Sequence, residues 1–330
     1  MKHPLARAVL LGATLTAGVG AAFLAAQAFR GGSFDRPTPP PPGYVAARAP
    51  GYALYAPSAA ALREGVEELE HARRTFRDRL GVEPVELVVV LADSAAALRD
   101  PEVAALRRPG AGFLPFVTRA AVGRADATAD SATVAQARFR AGAKTLAHEA
   151  CHQLVAGYAE KAGGRGRAPA GYGHGALPDW VDEMAATLCE SPDARARRRE
   201  HLRASLAERI PLAELAVMEH PVSVAVSTRP AGSAPVVDRG ATVQVLRGDE
   251  AREFLRGMNA PLFYSQSLSL GEFLSERGGP EGLRTVVDRL ARGRTLDQAL
   301  ADARRRAPAL PGSVAELEVE WLRWVEAGEE

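Results

Sequence analysis

The sequence predicts an α+β fold, with a mixed sheet and helices in its N-terminal part followed by a mainly helical C-terminal half. Three observations carry this. Tyr52 to Leu91 reads as an apolar segment, an amphipathic helix and a β-branched run, the strand, helix, strand order that opens an α/β layer. From Ser131 onward the apolar residues recur mostly at helical spacing. The composition, 47% hydrophobic at a formal net charge of +1 over 330 residues, can bury a core that offsets chain entropy, which excludes disorder over the whole length.

Residues 8–29 (AVLLGATLTAGVGAAFLAAQAF) carry no charge and follow the short basic stretch Met1 to Arg7. They are long enough for a membrane-spanning helix of about 20 residues. Two readings stay open: the long run ending at Arg30 suits an uncleaved anchor, and Ala26-Gln27-Ala28 suits a cleaved signal peptide. Both keep the basic residues inside and export the rest, so the expected location is extracytoplasmic, membrane-anchored or secreted. Residues 1–30 are therefore expected to be an address, and 31–43 a Pro-rich linker whose RPTPPPPG stretch favours extended polyproline II. The folded body then covers 44–330, with an α/β part over 44–130 and a mainly helical part over 131–330.

Within the body, Ser58 is an N-cap for a helix over Ala59 to Leu80, where Leu62, Val66, Leu69, Ala72, Phe76 and Leu80 follow steps of three and four. Gly81 ends it. Val85 to Leu91 (VELVVVL) is too short for a helix and predicts a mostly buried strand. Gly112 to Val122 reads as another strand, pushed towards an edge by Pro115. Helices are expected near 133–159, 178–190, 194–208, 261–277, 280–291, 295–305 and 313–327, with an excursion of strands and loops over 220–245. Leu317, Trp321, Leu322 and Trp324 form an apolar stripe for core packing. The run Arg195 to Arg199 (RARRR), with Glu200 and Glu208 after it, is expected on a solvated helix face. Setting aside Lys2, Arg7 and Arg30 leaves 38 of the 41 basic residues against 40 acidic ones, so the body has no general attraction for nucleic acid.

His148-Glu149-Ala150-Cys151-His152 lies within a predicted helix. Four residues advance about 400°, so both imidazoles leave one face about one turn apart, the spacing of two zinc ligands. Glu149 stands beside them, where a carboxylate can take a proton from a zinc-activated water. A catalytic zinc with three protein ligands needs one more donor. Leu177-Pro178-Asp179-Trp180-Val181-Asp182-Glu183 begins a helix that offers Glu183, with the small Ala186 a turn later permitting close helix approach. His174, Asp179 and Asp182 are the rival third ligands.

His148 to His152 followed by Trp180-x-x-Glu183-x-x-Ala186 resembles the gluzincin metallopeptidases, most closely the membrane-associated or secreted peptidase MA-like group related to thermolysin and aminopeptidase N. The resemblance implies a zincin-like fold with the zinc site between helices, Zn2+ held by His148, His152 and Glu183, Glu149 as general base and a peptide or protein substrate. Phe263-Tyr264-Ser265-Gln266-Ser267 resembles the helix start that follows the active site in that group. In this setting Tyr264 is the expected catalytic donor to the oxyanion, the other reading being a packed phenol bonded to backbone, with Tyr158, Tyr172 and His174 as substitutes. Met184 stands where a glycine commonly follows the ligand Glu, and the interval from His152 to Glu183 is longer than in thermolysin or aminopeptidase N. The expected activity is zinc-dependent peptide hydrolysis, the alternative a catalytically silent binding or scaffold module. Cys151 and Cys189 are either a disulfide or two buried thiols.

Overall fold

The computed structural model describes residues 38–94, 97–117, 146–164, 177–221, 236–238, 241–243 and 259–328. They form a mixed α+β structure, with a four-stranded mixed sheet near the N-terminus and helices through the C-terminal half. The described residues fall into two compact units. One takes 38–66, 87–94, 97–117 and the strand pair 236–238 and 241–243; the other takes 67–86, 146–164, 177–221 and 259–328.

The first unit is built on strands β1 (Val45–Ala49), β2 (Tyr52–Ala56), β3 (Leu87–Ala92) and β4 (Gly112–Val117), in that spatial order. β1 runs antiparallel to β2, pairing Val45 with Ala56 and Ala49 with Tyr52. β2 and β3 are parallel, Tyr52 opposite Leu87, and so are β3 and β4, Leu87 opposite Gly112. Helix α1 (Ala59–Leu80) occurs between β2 and β3 in the chain, as a parallel pair requires a crossover. Every residue of β2 and β3 is buried, which is why both read as unbroken apolar runs rather than alternating ones. Ala53, Tyr55, Val88, Val90 and Phe113 form a core with Val103 of the short helix α2 (Pro101–Ala104) and Leu106. β4 takes the edge position that Pro115 dictates; it ends at Val117, and the predicted continuation over 118–122 lies outside the described residues. Within the Pro-rich stretch, Thr38 is held on this unit, accepting from Arg108 through its hydroxyl at 2.6 Å and from Tyr55 through its carbonyl at 3.3 Å. β5 (Val236–Asp238) and β6 (Ala241–Val243) form a separate antiparallel pair within the predicted 220–245 excursion.

The second unit joins residues 67–80 of α1 to helices α3 (Leu146–Lys161), α4 (Asp179–Leu188), α5 (Pro192–Ala204), α6 (Leu212–Leu215), α7 (Ala260–Ala291), α8 (Leu296–Arg304) and α9 (Val314–Ala327). The predicted start of α3 at 133–145 lies outside the described residues. Ser191 caps α5 by accepting from the Ala194 N–H, and the predicted 194–208 helix stops at Ala204, giving way to a short 3-10 turn over Leu206–Glu208. α7 spans both predicted helices of its region, and Gly279 (φ 59°, ψ −173°) breaks it between them. That left-handed φ suits glycine, and Pro280 then opens the second arm where a backbone N–H is not needed.

Trp180, Met184, Leu154, Phe273, Trp321 and Trp324 are buried in this unit. α7 packs tightly on α4 at Gly271, where an added Cβ would lie 2.5 Å from Met184 Cγ. On α9, Leu317, Trp321 and Trp324 are buried as expected, Leu322 half-buried; Trp321 donates its indole N–H to Ser269 at 2.9 Å and Trp324 to Glu276 at 3.2 Å. Among the described residues no helix is long and apolar enough to cross a membrane, and the charge-free 8–29 segment lies outside them.

Candidate metal centre

The metal-ligand candidates come from α3 and α4, both in the second unit. One helical turn separates His148 from His152, so their rings leave α3 together, with Nε2 atoms 3.2 Å apart and planes at 77°. α4 brings Glu183 Oε2 to 3.5 Å from His148 Nε2 and 3.8 Å from His152 Nε2. All three residues are buried, and their donor atoms lie within 4.8 Å of one another. Ligand bonds of about 2.0–2.1 Å in a tetrahedron place neighbouring donors about 3.3–3.4 Å apart, so this group could hold a metal ion after shifts of a few tenths of an ångström.

A second layer of acids orients the rings. His148 Nδ1 lies 2.9 Å from Glu190 Oε1, and Glu190 is gripped from the other side by Arg198 at 2.5 and 2.6 Å. His152 Nδ1 lies 2.9 Å from Asp182 Oδ1. Carboxylates only accept, so the ring protons belong on Nδ1 and the Nε2 lone pairs face each other and Glu183. Three acceptors at 3.2 to 3.8 Å repel unless a cation lies among them. Without a metal that cation is a proton. Burial lowers the His152 pKa, but Asp182 and then Glu183 more than reverse this and bring it up to about 9. Burial likewise raises the Glu183 carboxyl, and His152, His220 and His148 together hold it well below the usual carboxylate range. Glu190, raised by burial, is drawn down to about 2 by Arg198 and His148. The three candidate ligands are thus also ion-paired with one another, and a metal would compete with a proton for the same space.

The other expected residues fall into distinct places. Asp182 faces His152 Nδ1 and lies outside the group of His148, His152 and Glu183 that could hold a metal. Asp179 accepts from the His220 backbone N–H at 2.6 Å, and its pKa is raised to about 7, first by burial. His174 and Tyr172 lie outside the described residues. Tyr158 is engaged elsewhere, its hydroxyl donating to Asp288. Glu149 is half-buried on α3 beside the buried His148, and its charge contributes to the negative potential at His152. The Tyr264 hydroxyl lies 3.1 Å from His220 Nε2. Cys151 and Cys189 are disulfide-bonded with Cα atoms 6.4 Å apart, of the two readings of these cysteines the bonded one.

The Arg195 to Arg199 run departs from expectation. Arg198 is drawn inward to Glu190, and Arg195 and Arg199 contact Glu272 at 3.4 and 2.9 Å, so this is a paired face and not simply a solvated one. The reason is tertiary: buried Glu190 and Glu272 require positive partners. Sequence reasoning missed His220, Glu190 and Arg198. His220 is fully buried with Nε2 3.3 Å from Glu183 Oε1. Arg198 also lies over the Tyr264 ring, 5.1 Å from its centroid. Contacts therefore close into a ring: His148, Glu190, Arg198, Tyr264, His220, Glu183 and back to His148. Glu190 carried one local signal, its place just past the end of the Glu183 helix; the other two had none.

No protein-family model matches the chain, and no curated protein matches it in sequence.

Proposed function

We propose that the chain is a zinc-dependent peptidase of the gluzincin type, with a zincin-like arrangement of helices, hydrolysing peptide bonds outside the cytoplasmic membrane. The observation that carries this reading is the convergence of His148, His152 and Glu183 with both imidazoles backed by carboxylates. Two nitrogens and one oxygen suit zinc, a borderline cation, and three protein ligands leave a position for water or substrate. Zinc held there would supply Lewis acidity to a scissile carbonyl and to a water, bringing that water's pKa to about 7.

The chain's own residues do the rest. Glu190 and Asp182 fix the tautomers, so that both Nε2 lone pairs face inward. Glu149, next to His148 and more exposed than the ligands, accepts the proton of the attacking water and delivers it to the leaving amine. Tyr264, a neutral donor at working pH, stabilises the oxyanion; its hydroxyl is linked through His220 to Glu183. The charge-free 8–29 segment supports export, with a membrane contact through that segment if it is retained.

The test is a peptide-library digest with the full chain, before and after chelation. Zinc-dependent cleavage, lost with chelator and restored by zinc, is expected. Stoichiometric zinc without cleavage of any peptide would instead leave a silent, peptidase-shaped binding module.

A further inference from the structure

Resting on the reading of His148, His152 and Glu183 as a metal centre, we propose that His220 is a positioning residue for that centre: it holds one oxygen of Glu183 so that the other faces the two imidazoles. His220 is built to do this. It is completely buried, its Nε2 is 3.3 Å from Glu183 Oε1, and the other carboxylate oxygen, Oε2, is the one at 3.5 and 3.8 Å from the histidine pair. Both helices that flank it fix its place. From α4, Asp179 accepts its backbone N–H at 2.6 Å, and Asp179 and Glu183 are one helical turn apart on the same helix. From α7, Phe263 packs edge-on against its ring at 5.4 Å, and Tyr264 lies tilted at 5.5 Å.

The chemistry assigns the proton. A carboxylate oxygen beside Nε2 repels a bare lone pair, so Nε2 carries the hydrogen; the Tyr264 oxygen at 3.1 Å accepts it, and Glu183 Oε1 at 3.3 Å is held by electrostatic contact. Tyr264 therefore does not point its own proton at His220. A rotated Glu183 would lose this contact, and its carboxylate would be free to turn between one- and two-oxygen contact with a metal. Partners of this kind, one bond removed from the metal, set ligand orientation, and losing one typically weakens metal binding about 10- to 100-fold.

The experiment compares the wild-type full chain with His220→Leu, His220→Gln and Tyr264→Phe, measuring zinc affinity by chelator competition and the visible spectrum of the cobalt(II)-loaded protein. His220→Leu is expected to bind zinc about 10- to 100-fold more weakly and to shift the cobalt bands, whereas His220→Gln, which restores an N–H donor, recovers most of both. Tyr264→Phe keeps the wild-type affinity. Unchanged affinity and spectrum in His220→Leu overturn the inference, and so does equal loss in the Leu and Gln variants. Should the Leu variant fail to fold, the wild type decides: nitrogen NMR of His220 should show the hydrogen on Nε2, and a hydrogen on Nδ1 with Nε2 bare overturns the assignment. A wild-type chain that takes up no metal removes the metal reading itself together with this inference, whereas zinc bound with His220 irrelevant removes the inference alone.

Discussion

Cys151 is bonded to Cys189, and this one link joins the His148 and His152 helix to the Glu183 helix. Cys151 adjoins His152, and Cys189 adjoins Glu190, the acid that orients His148. Both sulfurs are buried, each 3.7 Å from the Ala72 carbonyl oxygen.

Replacing both cysteines with alanine is expected to destabilise the fold by about 4 kcal/mol, the chain-entropy value for a loop with a sequence separation of 38. Urea unfolding of the metal-free protein measures it. A loss below about 1 kcal/mol would show that the two helices are held by packing alone.

Metal affinity should depend on pH through His152. Its pKa in the metal-free protein is raised to about 9, so below that pH a bound metal must displace one proton. Apparent zinc affinity is therefore expected to rise about tenfold per pH unit between pH 6 and 8 and to level off above 9. Chelator competition across that range reads the slope, and a flat profile would mean that no proton occupies the site.

Tyr158 predicts an alkaline limit to stability. Burial, and then the bond to Asp288, raise its pKa above the ordinary value of about 10. A raised folded value means that the phenol stays protonated in the folded state after it has ionised in the unfolded chain. Its contribution is thus fully present below about pH 10 and is lost as pH rises beyond it. Urea unfolding from pH 8 to 11 should show this decline, and Tyr158→Phe should flatten it; an equally steep decline in the variant would assign the effect to other groups.

Tyr264→Phe is expected to lower kcat by about 100-fold or more with zinc content unchanged, the size of effect for one lost oxyanion donor. Steady-state kinetics on any peptide found to be cleaved provides the reading. Full activity in the Phe variant would restrict Tyr264 to its contacts with His220 and Arg198.

Much of the fold was legible because local pattern and tertiary role agree. α1 shows its period plainly, and the apolar run beginning at Val85 became β3 because a strand covered on both faces has no alternative to continuous burial. β1 left no such mark. Its residues, VAARA, are partly exposed on an edge strand, and nothing in them distinguishes a strand from a loop. The same distinction divides the site. His148, Glu149 and His152 announce themselves through helical spacing, and Glu183 through the helix start before it. His220 and Arg198 show their roles through the buried carboxylates that the fold brings to them, Glu183 for His220 and Glu190 for Arg198. A histidine between Glu219 and Pro221 carries no periodicity, and an arginine among three others in the RARRR run looks like surface. Only the buried carboxylates they answer distinguish them.

In the proposed reaction Glu149 works as a general base beside a zinc held by His148, His152 and Glu183. Zinc content and peptide cleavage measured side by side for the wild type and Glu149→Gln test it most directly. About one zinc per chain is expected in both proteins, with a fall in kcat of at least about 100-fold in the variant, because the amide cannot accept the proton. Wild-type cleavage by the zinc-loaded Gln variant would contradict it.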